Sequence, residues 1–246
     1  MAGSKEIILI LGSGPNVTSA ANWPKAKVDQ IVAINNAWQV RPDWDFLVFP
    51  EDFAPERRPS GQAFKGKFIE ADAFVPAQNR YGGFVHAGAT MAYTAAYWVL
   101  DALRPRVMAF MGCDMDYSQP GKTHFYGNGT ADPLRDDITL RDLGAKSARL
   151  ALMAAVQGCT CVNLSKDRSE LLFPRAEWND LGEIGDAAPL EEGAFQAICD
   201  REAALKYETP DGRYAALAET ADFESLDAID EAWRALYAQY LSTSPV

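Results

Sequence analysis

The chain is poor in the residues that most often announce a function. In 246 residues there are two histidines, His86 and His124, and four cysteines. Cys159 and Cys161 lie in a β-like run, "GCTCVNL", with no second pair beside them. So few thiols exclude a disulfide framework, and a lone C-x-C gives zinc little support. They read as reduced core cysteines of a cytoplasmic protein. Long apolar runs are also missing. None reaches about 18 residues, so no transmembrane helix is expected. The first apolar stretch, Ile7 to Leu11, follows a single lysine and precedes no small-residue cleavage site, and it reads as a core strand rather than a signal peptide.

Basic charge is scarce as well. The net charge is −11. Residues 177–246 carry 16 acids and 4 bases, whereas residues 1–176 carry 18 and 19. The acidity belongs to the tail. This balance argues against a nucleic-acid surface, while a nearly neutral body permits a small anionic ligand. Two nucleotide motifs are missing too. The turn "LGSGPN" lacks the third glycine of the dinucleotide fingerprint, and no Lys-Ser/Thr pair follows it as in a P-loop.

What is present is an alternation of short apolar runs and helical stretches. "EIILILG", "QIVAINN", "WDFLVFP", "KFIEA", "RVMAFMG" and "CTCVNLS" read as strands. Gly88 to Leu103 is apolar almost all round, which predicts a buried helix stopped by Pro105. Asp142 is the expected cap of a helix running to about Val156. The pattern predicts an α/β, Rossmann-like fold with a mainly parallel sheet and helices on both faces. Residues 1–176 form the expected nucleotide-binding domain. Residues 177–246 form an acidic helical C-terminal extension, joined through "NDLGEIGDAAP". In that extension Leu226, Ile229, Trp233, Leu236, Tyr237, Tyr240 and Leu241 make an apolar stripe, to be packed on the body or on a second subunit.

Ligands of such sheets bind at the carboxyl ends of the strands. That rule selects four segments. The first is Gly12, Ser13, Gly14, Pro15 and Asn16, where glycines allow close approach and the next helix start offers free N–H groups. The second is Asn35 and Asn36, whose amides suit a base edge or a ribose. Glu51 and Asp52 form the third and suit ribose hydroxyls. The fourth runs from Gly112 to Tyr126 and holds Asp114, Asp116, Tyr117, Lys122, His124 and Tyr126. Asp114-x-Asp116 has the form of a metal-binding pair that holds Mg²⁺ or Mn²⁺ between diphosphate oxygens. His124 can take a proton from an acceptor hydroxyl near neutral pH. Lys122, Arg135 and Arg141 are nearby cations for phosphate.

"ILGSGPN", "AINNAW", "AGATMAYTAAYWVLDALRPRVMAFMGCDMDYSQPGKTHFYG" and "GCTCVNLSKDRSELLFPR" together resemble a group of bacterial and phage-associated proteins of poorly defined function. That group is similar in layout to bacterial sialyltransferases, flagellin glycosylation accessory factors and 6-hydroxymethylpterin pyrophosphokinase-like proteins. The resemblance covers residues 6–176 and leaves out the tail. It implies a nucleotide role for Gly12, Ser13, Gly14, Pro15 and one of Asn35 and Asn36. It also implies inverting, metal-independent transfer from a CMP-sugar, with His124 as base and Tyr117 and Tyr126 assisting the leaving phosphate. The loop here reads Ser13-Gly14-Pro15-Asn16 where the sialyltransferases usually carry Asn-Gly-Pro-Ser. The expected partners are thus a nucleotide-sugar and an acceptor, and a second subunit at the C-terminal helix. Two other readings stand beside this one: a Mg²⁺-dependent pterin pyrophosphokinase using Asp114 and Asp116, and a non-catalytic phage-related assembly protein.

Overall fold

The structure is a computed structural model that describes residues 6–60, 66–117, 123–127 and 137–243. Six strands form one all-parallel sheet in the order β4-β3-β2-β1-β5-β6. They are β1 (Ile7–Leu11), β2 (Gln30–Ile34), β3 (Phe46–Val48), β4 (Lys67–Ile69), β5 (Val107–Met111) and β6 (Thr160–Asn163). β1 and β5 are central and covered on both faces. Every residue in them is therefore apolar and buried, as a doubly covered parallel strand requires.

The two faces are covered differently. Ile8, Ile10, Val32, Ile34, Met108 and Phe110 point to a layer of α-helices. These are α1 (Ala71–Arg80), α3 (Met91–Ala102), α4 (Leu143–Val156) and α6 (Phe223–Thr243), with the short α2 (Gly83–Ala87) beside them. Ile7, Leu9, Leu11, Ile31 and Ala33 point to the other layer, built of 3-10 segments such as Pro15–Asn22 and Trp178–Glu183. There Trp23 stacks on Trp178 at 4.5 Å between ring centroids. The segment after the first glycine turn is thus 3-10 where a full helix is expected. Its residues, "PNVTSAAN", explain this, since Asn, Val, Thr and Ser are weak helix formers and 3-10 helix suits short pieces.

α3 is the predicted buried helix. Thr90 caps it, accepting from the Tyr93 N–H at 3.4 Å, and Tyr93, Tyr97, Trp98, Val99 and Leu100 are all buried. Each such large apolar side chain contributes about 1.5–3 kcal/mol on burial. Asp142 caps α4 as expected, accepting from the Ala145 N–H at 2.8 Å. α1 and α2 are additions that the sequence pattern does not announce. α1 carries Pro76 inside it, yet Phe74, Val75, Ala77 and Gln78 are buried on one side.

The tail lies on the body. α5 (Glu192–Leu205) and α6 pack together, and Leu226, Ile229, Trp233, Leu236 and Tyr237 bury the apolar stripe against α4 and its neighbours. Two enclosed ion pairs fasten this contact, Arg149–Glu202 at 2.7 Å and Lys146–Asp230 at 2.8 Å. Arg149 also donates to Tyr97 Oη at 2.7 Å and to the Tyr81 carbonyl at 2.5 Å. Trp233 Nε1 donates to Glu202 at 2.7 Å. All four cysteines are free thiols, and Cys159 and Cys161 sit in the helical-side core. Among the described residues no helix is long and apolar enough to cross a membrane.

Candidate functional site

Successive strands run outward from β1 through β2 and β3 to β4, and β5 then returns to the other side of β1. The crevice at this reversal, outside the carboxyl ends of the strands, is where ligands of open α/β sheets bind. A hollow of about 1080 Å³ lies there. It is lined from β1 by Gly12, Ser13 and Gly14, from β2 by Asn35 and Asn36, and from β3 by Glu51 and Asp52. From β5 come Gly112, Tyr117, His124 and Tyr126. The glycine turn and the imidazole segment therefore open onto a common space.

The glycines serve each other. A β-carbon on Gly12 would stand 2.2 Å from the Gly112 carbonyl oxygen, and Gly112 has φ 73°, a left-handed conformation that costs other residues energy. The two loops are laced by backbone bonds: Gly12 N–H to Met111 O at 2.8 Å, Gly14 N–H to Gly112 O at 2.8 Å and Phe125 N–H to Ser13 O at 3.0 Å. The amides of Gly12 and Gly14 are thus already used. Of the expected phosphate cradle, these two donors are therefore taken by the neighbouring loop.

Asn35 takes φ 51°, which asparagine tolerates better than most residues. Its Oδ1 is enclosed and has no hydrogen-bond partner among the described residues. Asn36 is buried at 5 % exposure, and Ser13 Oγ donates to the Ile34 carbonyl at 3.3 Å, joining the tips of β1 and β2. Glu51 and Asp52 are exposed at the rim. His124 stands in a small bridge with Gly127, with N–H to O distances of 3.0 and 3.1 Å, and its ring stacks on Tyr126 at 5.0 Å. His124 Nδ1 lies 2.9 Å from Thr123 Oγ1. In the tautomer whose Nδ1–H donates to Thr123, Nε2 is the basic nitrogen. Cys113 also lines the hollow, but burial holds its thiol well above the ordinary value, so it is no nucleophile at neutral pH.

Pro15, Asn16, Asp114 and Asp116 are not among the lining residues. Asn16 Nδ2 lies 2.6 Å from Asp114 Oδ2, 2.8 Å from Ser165 Oγ and 2.9 Å from Asp167 Oδ2. Asn163 Nδ2 reaches the other Asp114 oxygen at 3.3 Å. Asp114 therefore ties β1 and β5 to β6 and faces away from the hollow. Asp116 lies 3.8 Å from Arg168 Nε. Among the described residues no three His, Cys, Asp or Glu side chains gather into a metal-binding group, and the two Asp114 oxygens face Asn16 and Asn163. Lys122 and Arg135 lie outside the described residues. Arg141 is held by Asp227 at 2.6 Å, under α6, and is not at the hollow.

Several lining groups have no motif. Thr90 and Thr94 come from α3, Phe74 and Val75 from α1, Phe84 from α2, and Arg57 from the turn after β3. Asp211, Gly212, Arg213 and Tyr214 come from the tail, which the sequence treats as separate. Asn79 binds this strap to α1. Its Nδ2 donates to the Thr209 carbonyl at 2.7 Å, and its Oδ1 accepts from the Thr209 N–H at 2.8 Å. The pairing of an α1 asparagine with a residue 130 positions later leaves no sequence signal.

His86, the other histidine, is outside the hollow and enclosed at 2 % exposure. Its Nδ1 is 3.8 Å from Glu202 Oε1. Burial pulls its imidazole down to about 4, against the attraction of Glu202 and with Arg149 and Lys146 adding to the effect. Burial by itself would raise the Glu202 carboxyl, but the charge and hydrogen bonds of Arg149 outweigh it and hold it below the ordinary value. This network includes α2 through His86, and Phe84 of the same helix lines the hollow. The class the fold defines is an α/β protein with a Rossmann-like parallel sheet and a ligand-sized hollow at its reversal point. No protein-family model, curated protein or solved structure matches the chain significantly.

Proposed function

We propose that the hollow binds a nucleotide-activated sugar, with a CMP-sugar as the favoured donor, and that the protein transfers the sugar with inversion to an acceptor hydroxyl. The observation that carries this reading is the meeting of Asn35, Asn36, Glu51, Asp52, His124 and Tyr126 around one space at the sheet's reversal point. Enclosed amides and rim carboxylates suit base and ribose donors, and the unpartnered Asn35 Oδ1 asks for an N–H or O–H from a ligand. His124 deprotonates the acceptor through Nε2, held by Thr123. Tyr117 and Tyr126 stabilise the departing phosphate as charge develops on it. This transfer asks for no carboxylate pair at the phosphates. Such a pair is what the pyrophosphokinase reading needs, and Asp114 is directed to Asn16 and Asn163 instead.

A thermal-shift panel of cytidine, uridine, guanosine and adenosine nucleotides, each with and without Mg²⁺, tests the reading. A ligand at 100 times its Kd stabilises the fold by about 2.7 kcal/mol, a shift of about 5–10 °C for a chain of this size. The expected result is a shift with cytidine nucleotides that does not depend on Mg²⁺. No shift with any nucleotide would contradict the reading.

A further inference from the structure

We infer that the start of α3 is an anion subsite of the hollow that takes a phosphoryl group, with the Thr94 hydroxyl and the first-turn amides as its donors. The nucleotide reading supplies only the molecule that carries this group. Two independent observations lead here.

The glycine turn, where a phosphate is expected from sequence, has its Gly12 and Gly14 amides engaged by the carbonyls of Met111 and Gly112. Those two amides are not open to a phosphate in the hollow. α3 is a 12-residue helix whose start, Ala89 to Ala92, lines the hollow. The amides of Met91 and Ala92 are first-turn groups with no intrahelical acceptor, and the helix dipole adds partial positive charge there. No acidic side chain occupies that first turn to compete.

Thr94 is the second, independent sign. It lines the same hollow and is 1 % exposed, and its Oγ1 has no hydrogen-bond partner among the described residues. A helical side chain leans toward the N-terminus of its helix, so Thr94 lies over the first turn, on the same face as Thr90. An enclosed hydroxyl without a partner is costly, and a bound phosphoryl oxygen removes that cost. Thr90 contributes as well. Its hydroxyl now lies 3.3 Å from the Met115 sulfur, a weak acceptor that a phosphoryl oxygen outcompetes.

The test is titration of orthophosphate, cytidine and CMP into the full chain, the Thr94→Val variant and the Thr94→Ser variant. Thr94→Val should weaken CMP and orthophosphate about tenfold or more and leave cytidine unchanged, because it removes one hydrogen bond to a charged group. Thr94→Ser, which keeps the hydroxyl, should restore binding. Equal affinity of CMP for wild type and Thr94→Val overturns the subsite, as does an equal loss of cytidine and CMP. If no nucleoside or nucleotide binds the wild type, the proposed function fails. The orthophosphate titration then decides the subsite alone: Thr94-dependent binding supports it and no binding overturns it. Should Thr94→Val fail to fold, Met91→Glu takes its place. That variant puts a carboxylate at the helix start, where it favours the helix yet repels phosphate, and unaltered CMP and orthophosphate binding in it overturns the subsite.

Discussion

Gly12 and Gly112 hold each other in place: a β-carbon on the first would lie 2.2 Å from the carbonyl oxygen of the second. The contact joins the β1 and β5 loops and so fixes the floor of the hollow. Gly12→Ala should destabilise the protein by at least about 1–3 kcal/mol, because the obstacle is backbone that no rotamer change relieves. Urea denaturation measures this. A neutral substitution would mean that the loops are further apart than described.

Arg149 and Glu202 form an enclosed pair that fastens α5 to α4. Replacing one member, as in Glu202→Leu or Arg149→Met, strands a charge in the core and should cost about 3–5 kcal/mol. The double replacement Arg149→Met with Glu202→Leu should cost far less than the two single changes added together. Additive effects in this double-mutant cycle would remove the pair from the account of how the tail is held.

His86 makes stability depend on pH. Its folded pKa of about 4 lies below the unfolded value of 6.5. Between those values the unfolded chain binds more protons than the folded one, so stability falls as pH drops from 6.5 toward 4. The loss approaches about 3 kcal/mol at the acid end of that window. His86→Phe should flatten this part of the stability–pH curve, as followed by chemical denaturation. A curve of unchanged slope would contradict the neutral, enclosed state of this imidazole.

Asn79 binds the strap that brings Arg213 and Tyr214 to the hollow. Asn79→Leu should leave the sheet intact and speed amide exchange in residues 207–214, since the side-chain bonds to Thr209 are lost. Nucleotide affinity should fall with it. Exchange that is unaltered in the strap would show that other contacts hold it.

His124→Ala should lower turnover by about 10²–10⁴ and leave nucleotide affinity nearly unchanged, as expected for a general base that acts on the acceptor. Transfer of labelled sugar from the donor measures the first and calorimetry the second. Full turnover in the variant would take His124 out of the mechanism.

The strands are legible because β1, β2, β5 and β6 are short apolar runs with polar residues after them, and the carboxyl ends of β1, β2 and β5 border the hollow. Asp142 and Thr90 both cap helices, and Asp142 is the one the sequence announces. α1 was hidden by Pro76, which reads as a breaker, although Phe74, Val75, Ala77 and Gln78 already had helical spacing. The roles of Lys146, Arg149, Glu202 and Asp230 were not legible, since charge reads as surface and only tertiary pairing shows that these four are enclosed. The same limit explains the glycine turn. Residue types show that Gly12 and Gly14 permit close approach, but the approaching group proves to be the β5 loop. The strap at Asp211 to Tyr214 is held by contacts such as Asn79 with Thr209, 130 positions apart, and Tyr214 with Asp137, 77 apart, beyond any local pattern.

The most direct test of the central claim is an amide NMR spectrum of the full chain titrated with CMP. The account predicts shifts concentrated at Ser13, Asn35, Asn36, Thr94, His124 and Gly212, the residues around the hollow. Shifts confined to the surface near Arg141, Asp227 and Arg234, or no shifts at saturating nucleotide, would contradict it.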